Sequence, residues 1–317
     1  MPRLFPLQLA LACALAAVLC AQAAAATVGA DLRVVTTGGK VLAEQRQYTD
    51  TVRIRTDPGA DCFGSGSGGS GDPARVAGPT ALGLVVDASE SDRDLRPISV
   101  TDAFDFGLGV CGFGGFEASG NSFWYLKSDH VGSQVGGDTL KVRPGDDILW
   151  FLTPGFPPPD ELELVAPPRA EAGEPFTVRV FRHTDGGDRL PAAGARVPGA
   201  DLPTGADGRT RVALEGGRNL RARMAATIPS NSVAVCVGQR LADCPAGAAL
   251  NIFGSRRADR IVGTAGPNRI SARGGPDRVN VRGGGPDRVN CGRGRDFVIR
   301  SRNDIARGCE RGAVGKP

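Results

Sequence analysis

Histidine, tyrosine and tryptophan are almost missing from this chain: two of each stand among 317 residues, and aromatic residues reach only 5%. Two histidines leave little material for an imidazole-rich metal centre or an acid–base relay, and only His130 and His183 are available to complete either. The nucleophile elbow GxSxG, the zinc helix HExxH and the glycine-rich phosphate loop are absent too, and each supplies a geometry that its enzyme class needs. No CxxC occurs, which removes the dithiol-redox and zinc-ribbon spacings. After the first 26 residues no apolar run approaches the ~20 residues that span a bilayer. Ser128, Asp129 and His130 are adjacent, but a triad requires convergence in space, whereas neighbours on a strand point to opposite faces. These absences argue against an enzyme and leave a binding or structural protein.

What is present begins with MPRLFPLQLALACALAAVLCAQAAAA, which has one early arginine, an apolar run from Leu7 to Leu19 and the small residues Ala21, Ala23 and Ala26. Residues 1–26 are expected to be a secretory signal, too short and wrongly flanked for a retained span, with the mature chain starting near Ala24 or Thr27. Its removal takes Cys13 and Cys20 and leaves Cys62, Cys111, Cys236, Cys244, Cys291 and Cys309. An even set in an oxidising compartment reads as structural disulfides. Six cysteines permit many connectivities; because they fall two to a segment, the expected pairs are Cys62 with Cys111, Cys236 with Cys244, and Cys291 with Cys309. The protein is expected to be secreted or at the cell surface.

Charge divides unevenly. From Asn251 onward 14 Arg and one Lys face five Asp and one Glu, a net of +9 within a chain whose total is +4, so the first 250 residues are mildly acidic. A basic tail on an exported chain suits an acidic envelope polymer or a phospholipid surface; nucleic acid it would rarely meet.

In the first segment DLRVV and DTVRIRT alternate as half-buried strands do, with Val52 and Ile54 on one face and TTGGK as a turn. Residues 61–72, DCFGSGSGGSGD, read as a flexible loop tethered by Cys62. Thr80 is a candidate N-cap for one short helix ending at Ala88. KVRPGDDILWFL reads as a hairpin turning at Pro144 and Gly145, with Trp150 on its second strand. Seven of the 13 phenylalanines and both tryptophans lie between Phe104 and Phe156. Trp124, Tyr125, Lys127 and His130 are therefore the candidate ligand-binding residues. Trp124, Tyr125 and Trp150 form either a cleft or a core, and since strand neighbours alternate, at least one of Trp124 and Tyr125 lies off the core.

Through TALGLVVDAS, FWYLKSDHVGSQVGG and RPGDDILWFL, over roughly residues 28 to 155, the chain resembles a secreted bacterial family of unassigned function. That family's domain is similar to the C-terminal β-domain of transcobalamin and intrinsic factor. In the vitamin-binding relatives this domain caps cobalamin against a separate α-helical barrel, and this sequence has no such barrel. The resemblance implies the fold; capture of a planar small molecule such as a corrinoid is the second functional reading, with His130 as candidate axial ligand to a corrin or haem metal. The other reading of His130 is a hydrogen-bonded surface histidine.

From Glu161 the texture changes to short alternating strands: ELELVAP, PFTVRVF with Phe176, Val178 and Val180 on one face, PTGADGRTRVAL turning at Asp207 and Gly208, NLRARMAA and NSVAVCV. Their spacing predicts an antiparallel immunoglobulin-like sandwich serving as a spacer or an adhesive module.

The tail repeats. Asp259, Asn268, Asp277, Asp287 and Asp296 follow one another at 9, 9, 10 and 9 residues, with Ile261, Ile270, Val279, Val289 and Val298 two places on. A nine-residue period of glycine, acid and branched apolar residue predicts a parallel β-roll with two repeats per coil, and the tract resembles the calcium-binding RTX family. Asp259, Asp277 and Asp296 would stack in one column, Asn268 and Asp287 in a weaker opposite one. The candidate metal residues are Asp259, Asp277, Asp287 and Asp296. Arg260, Arg269, Arg278 and Arg288 directly follow the acids, and the alternative is a metal-free roll in which arginines pair with aspartates.

The expected architecture is mostly β and multidomain. Residues 27–156 form a small α+β domain with one helix on a sheet, 157–238 the immunoglobulin-like β-sandwich, 239–250 a linker with a disulfide, 251–310 the short parallel β-roll and 311–317 a disordered tail. The expected function is that of a monomeric, non-enzymatic exported module that binds a small ligand or the envelope, with its basic tail as anchor and calcium as the candidate cofactor; cobalamin is not expected.

Overall fold

Strand Val28–Val35 has a buried residue at six of eight positions, on both faces, and the molecule is layered on it. It pairs antiparallel with Val41–Thr49 and parallel with Asp147–Thr153. The computed structural model describes residues 27–238, 240, 243–245 and 251–315; the expected signal and most of the 239–250 linker lie outside the described residues. Among the described residues the protein is mostly strand, with one α-helix, and no helix is long and apolar enough to cross a membrane.

The central sheet has nine strands. It runs from Val131–Gly132 through Phe123–Ser128, Asp147–Thr153, Val28–Val35 and Val41–Thr49 into four strands of the repeat tract. On one face Leu32, Val34, Leu126, Ile148, Trp150 and Trp124 pack with helix Ala81–Ser89. On the other, Val35, Leu149 and Phe151 meet Ile228 of the next module. Covering both faces is what makes ILWFL a continuous apolar run instead of an alternating one.

Thr80 caps the helix as expected, its side chain accepting from the Gly83 N–H at 3.0 Å. The next two free donors, the Ala81 and Leu82 amides, go to the carbonyls of Leu140 and Gly137. That duty explains a correction. The segment before Pro144 does not form the first strand of a hairpin; only Lys141 makes an isolated bridge, to Thr80. The antiparallel partner of Asp147–Thr153 is Phe123–Ser128. The glycine and serine loop is tied by more than Cys62: Ser70 donates through its amide and its hydroxyl to Asp102.

The second module is a two-sheet sandwich. Asp160–Val165 and Phe176–His183 form one sheet with Arg189–Pro191, Arg209–Val212 and Thr227–Ile228; Arg218–Arg221, Ser232–Val237 and Arg169–Ala170 form the other. Leu162, Leu164, Val178, Val180, Leu220 and Val235 fill the space between them. The sandwich is not wholly antiparallel: the two-residue strands Thr227–Ile228 and Arg169–Ala170 pair in parallel, because they are chain entering or crossing the sandwich beside a strand of the same sense rather than returning through a hairpin.

The repeats fold as two parallel sheets, one strand per repeat, alternating between sheets. Ile252, Ile261, Ile270, Val279, Val289 and Val298 point inward as its core. The roll is longer than the five repeats counted, for Asn251–Phe253 opens it and Ile305–Arg307 and Arg311–Val314 close it. The expected disordered tail is thereby corrected: Arg311–Val314 pairs with Phe297–Arg300 and finishes the second sheet. Nor is the roll a free appendage, since Ile252 and Phe253 pair with Arg46 and Gln47 and extend the central sheet. Arg257 to Asp50, and Arg256 and Arg273 to Glu90, add ion pairs across that junction. All three expected disulfides are present, one in each module.

Candidate functional site

Two clusters of buried charge stand out, one in the seam between the first two modules and one inside the roll.

In the seam, strand Phe123–Ser128 sorts its residues by alternation. Trp124 and Leu126 face the helix side, and Trp124 packs edge-on against Phe113. Tyr125 and Lys127 face the sandwich. The Tyr125 hydroxyl donates to the Asp185 carboxylate at 2.8 Å, and burial with that bond pushes its pKa up to about 12. Lys127, only 1% exposed, has its Nζ 3.8 Å from Glu161 Oε2; burial lowers its pKa against the pull of Glu161 and Asp185. The structure thus separates the four candidate ligand residues: Trp124, like Trp150, belongs to the core, and Tyr125, Lys127 and His130 form an intermodule contact.

Asp129 and His130 are not on a strand, as the argument against a triad assumed. With φ of 48° and 69° they are the two central residues of a tight turn joining Ser128 to Val131, a left-handed conformation that Asp and His enter more readily than most residues. The turn aims His130 into the seam, where its ring stacks on His183 at 3.7 Å between centroids. One face of the His130 ring is therefore covered by a side chain of the sandwich. Gly132 follows because the modules touch there; a Cβ would lie 2.1 Å from the Tyr125 hydroxyl.

Glu161 and Arg33 form the centre of the seam, 1% and 3% exposed. Arg33 also donates to the Pro229 carbonyl at 2.6 Å. Burial alone would raise the Glu161 carboxyl, but the Arg33 guanidinium, with His130 and Lys127, holds it well below the usual carboxylate range. Burial opposes ionisation of Glu163 as well, and hydrogen bonds from His183 and Arg189 bring it down to about 2. Asp147 has too little positive charge beside it, and burial pushes it up to about 6.

The roll treats its acids otherwise. Asp259, Asp277, Asp287 and Asp296 are all buried, together with Asn268 and Asp304. Asp259 accepts from Ser255, and every later carboxylate accepts the backbone N–H of the equivalent residue one coil earlier: Asp277 from Asp259, Asp287 from Asn268, Asp296 from Asp277 and Asp304 from Asp287, at 2.9, 2.6, 2.9 and 3.0 Å. Glu310 closes the first column by accepting from Asp296. The two columns fall where the spacing placed them. No arginine of the roll pairs with these aspartates among the described residues; the arginines that follow them point outward. Burial raises Asp277 and Asp287 to about 7. The second oxygens of Asp277, Asp287 and Asp296 have no hydrogen-bond partner. Asp277 and Asp296 stand in one column and Asp287 in the other, and among the described residues no three acids of the roll converge closely enough to hold one ion; a calcium shell of six to eight oxygens would need turn carbonyls as well.

Sequence reasoning missed Arg33, Glu161, Glu163 and Asp185. Glu161 and Glu163 were legible only as the polar half of an alternating strand, and nothing local marks a polar face that will be covered by another module. When the chain is compared with protein-family models, curated proteins and solved structures, none matches.

Proposed function

We propose that the protein is a non-catalytic exported module that holds to an acidic envelope polymer through the outer face of its roll. One observation carries this reading: in residues 251–315 all five aspartates are buried, whereas Arg260, Arg278, Arg282, Arg288 and Arg295 are exposed. The surface is therefore more basic than the formal charge of the tract. Arg260 stands beside Arg278 in register on one sheet of the roll, and Arg269 beside Arg288 on the other, each pair at the strand spacing of about 4.8 Å. An open cleft of about 730 Å³ on the same tract is lined by Arg278, Arg295 and Arg311 together with Phe297 and the acids Asp277, Asp296 and Glu310. Paired exposed guanidinium groups suit phosphate or carboxylate groups repeating along a chain.

Because the roll continues the central sheet, cutting it off would open the edge of Val41–Thr49, and charge substitution is the cleaner test. The full chain is titrated with polyphosphate and with polygalacturonate at rising salt. Affinity that falls with salt, and falls again in Arg260→Gln/Arg278→Gln/Arg288→Gln, is expected. Binding unaffected by either change would overturn the reading.

A further inference from the structure

The chain's only histidines lie one in each of the first two modules, and folding brings their rings into contact. Around them three buried polar atoms have no hydrogen-bond partner: His130 Nδ1, His183 Nδ1 and Glu161 Oε2. Orphaned buried groups are rare, and several in one place call for an ion or a water. His130 Nδ1 and Glu161 Oε2 are 3.1 Å apart without the alignment of a hydrogen bond. That separation is near the edge of a tetrahedron with metal–ligand bonds of about 2.0 to 2.1 Å. Donor atoms of His130, Glu161 and Asp147 all lie within 4.8 Å of one another, and so do those of His130, His183 and Glu163.

His183 is already held as a ligand would be. Its Nε2 contacts Glu163 Oε2 at 2.8 Å. An ionised carboxylate only accepts, so Nε2 carries a proton, and in the neutral ring Nδ1 keeps its lone pair, the carboxylate–histidine arrangement that supports metal-bound imidazoles. Arg33 occupies the other oxygen of Glu161, Oε1, leaving Oε2 to face His130.

We propose that the seam binds one divalent ion of the zinc class through His130, His183, Glu161 and Asp147, with Glu163 orienting His183, so that the ion ties the first module to the sandwich. Two imidazoles with two carboxylates select a borderline ion over calcium, which prefers an all-oxygen shell. The lone pairs of stacked rings lie in nearly parallel planes, so one ring must turn out of the stack for both to share an ion. Lys127, with its Nζ 3.8 Å from Glu161 Oε2, is the internal cation that the ion competes with.

The test is a titration of chelator-treated full chain with zinc chloride in millimolar calcium, with zinc-edge X-ray absorption on the loaded protein. Expected are one zinc per chain, imidazole scattering from two histidines, and loss of binding in His130→Gln and in His183→Gln. Glu163→Gln should weaken binding roughly 10- to 100-fold, and Lys127→Gln should strengthen it. The proposal is overturned if no zinc is bound, if calcium displaces it, if the spectrum lacks imidazole, or if His130→Gln/His183→Gln binds as well as the parent. Because the absorption spectrum is read on the unaltered chain, a variant that fails to fold leaves the proposal testable.

Discussion

Glu161 in the seam and Asp277 in the roll are equally hidden, each 1% exposed, yet their carboxyls move in opposite directions. Glu161 is held ionised by Arg33, whereas Asp277 has only a backbone amide and no cation beside it and rises to about 7. Burial raises both; the partner decides the outcome. The seam is therefore a fixed ion-pair contact, while the roll is held together by acids that are half-ready to take a proton or a cation.

Breaking the seam pair should be the most damaging change. Arg33→Ala leaves Glu161 charged, buried and without its main partner, a loss of about 3 to 5 kcal/mol, measured as the midpoint of urea unfolding. A loss under 1 kcal/mol would mean that water reaches Glu161 and that the two regions do not differ as described.

The roll's buried acids should answer to pH where Glu161 does not. Asp277 and Asp287 have folded pKa values near 7 against an ordinary 3.8, so the folded state holds their protons more tightly. The stabilisation is complete below about pH 4, falls as pH rises from there to about 7, and is flat above. The protection of the Asp259 and Asn268 amides, whose N–H groups these acids accept, relative to the exchange rate of an unfolded peptide at the same pH, should fall over that window. If calcium occupies the free oxygens, millimolar calcium should abolish the pH dependence; equal protection at pH 5 and pH 8 without calcium would remove the contrast with Glu161.

Asp277 sits between two intercoil bonds, accepting from Asp259 and donating to Asp296. Asp277→Ala should cost about 1 to 3 kcal/mol by orphaning the Asp259 amide. Asp277→Asn should cost less, because its amide oxygen can still accept the Asp259 N–H, as Asn268 Oδ1 accepts the Thr264 N–H at 2.8 Å at the head of the other column. Thermal melts of the two variants at pH 8 in chelator compare them directly, and an asparagine variant no better than alanine would show that the charge, not the acceptor, matters there.

Period was the most legible feature of the sequence. The nine-residue repeat predicts which residues line the roll, because a parallel coil writes its register into the chain: Ile261 over Val279 over Val298 follows from counting. The same counting missed Asn251–Phe253, where Leu250 stands in the place of the acid although Ile252 keeps the nine-residue step, and Ile305–Arg307, where Ala306 follows Val298 by eight residues. The cysteines, two to a segment, yielded their pairing. What stayed hidden is whatever depends on contact between modules. Lys127 and His130 look like ligand residues because a polar, aromatic face on a small domain has no visible reason to exist until the sandwich covers it with Glu161, His183 and Asp185. The roll's docking on Val41–Thr49 was likewise invisible, since an edge strand looks the same whether its partner is water or a distant segment.

The smallest effect belongs to charge on the outside. Arg260 and Arg278 stand side by side in a parallel pair, both exposed and without a carboxylate partner among the ion pairs of the described residues. Like charges at adjacent positions repel, but water and salt screen them, so Arg278→Gln should change stability by no more than about 0.5 kcal/mol, and in the stabilising direction. The same change should lower affinity for polyphosphate, so a melt and a binding titration on one variant separate the two roles. A clear loss of stability would mean that Arg278 is part of the scaffold, in which case the rule drawn from Glu161 and Asp277, that only buried charge depends on its partner, would not extend to the roll's surface.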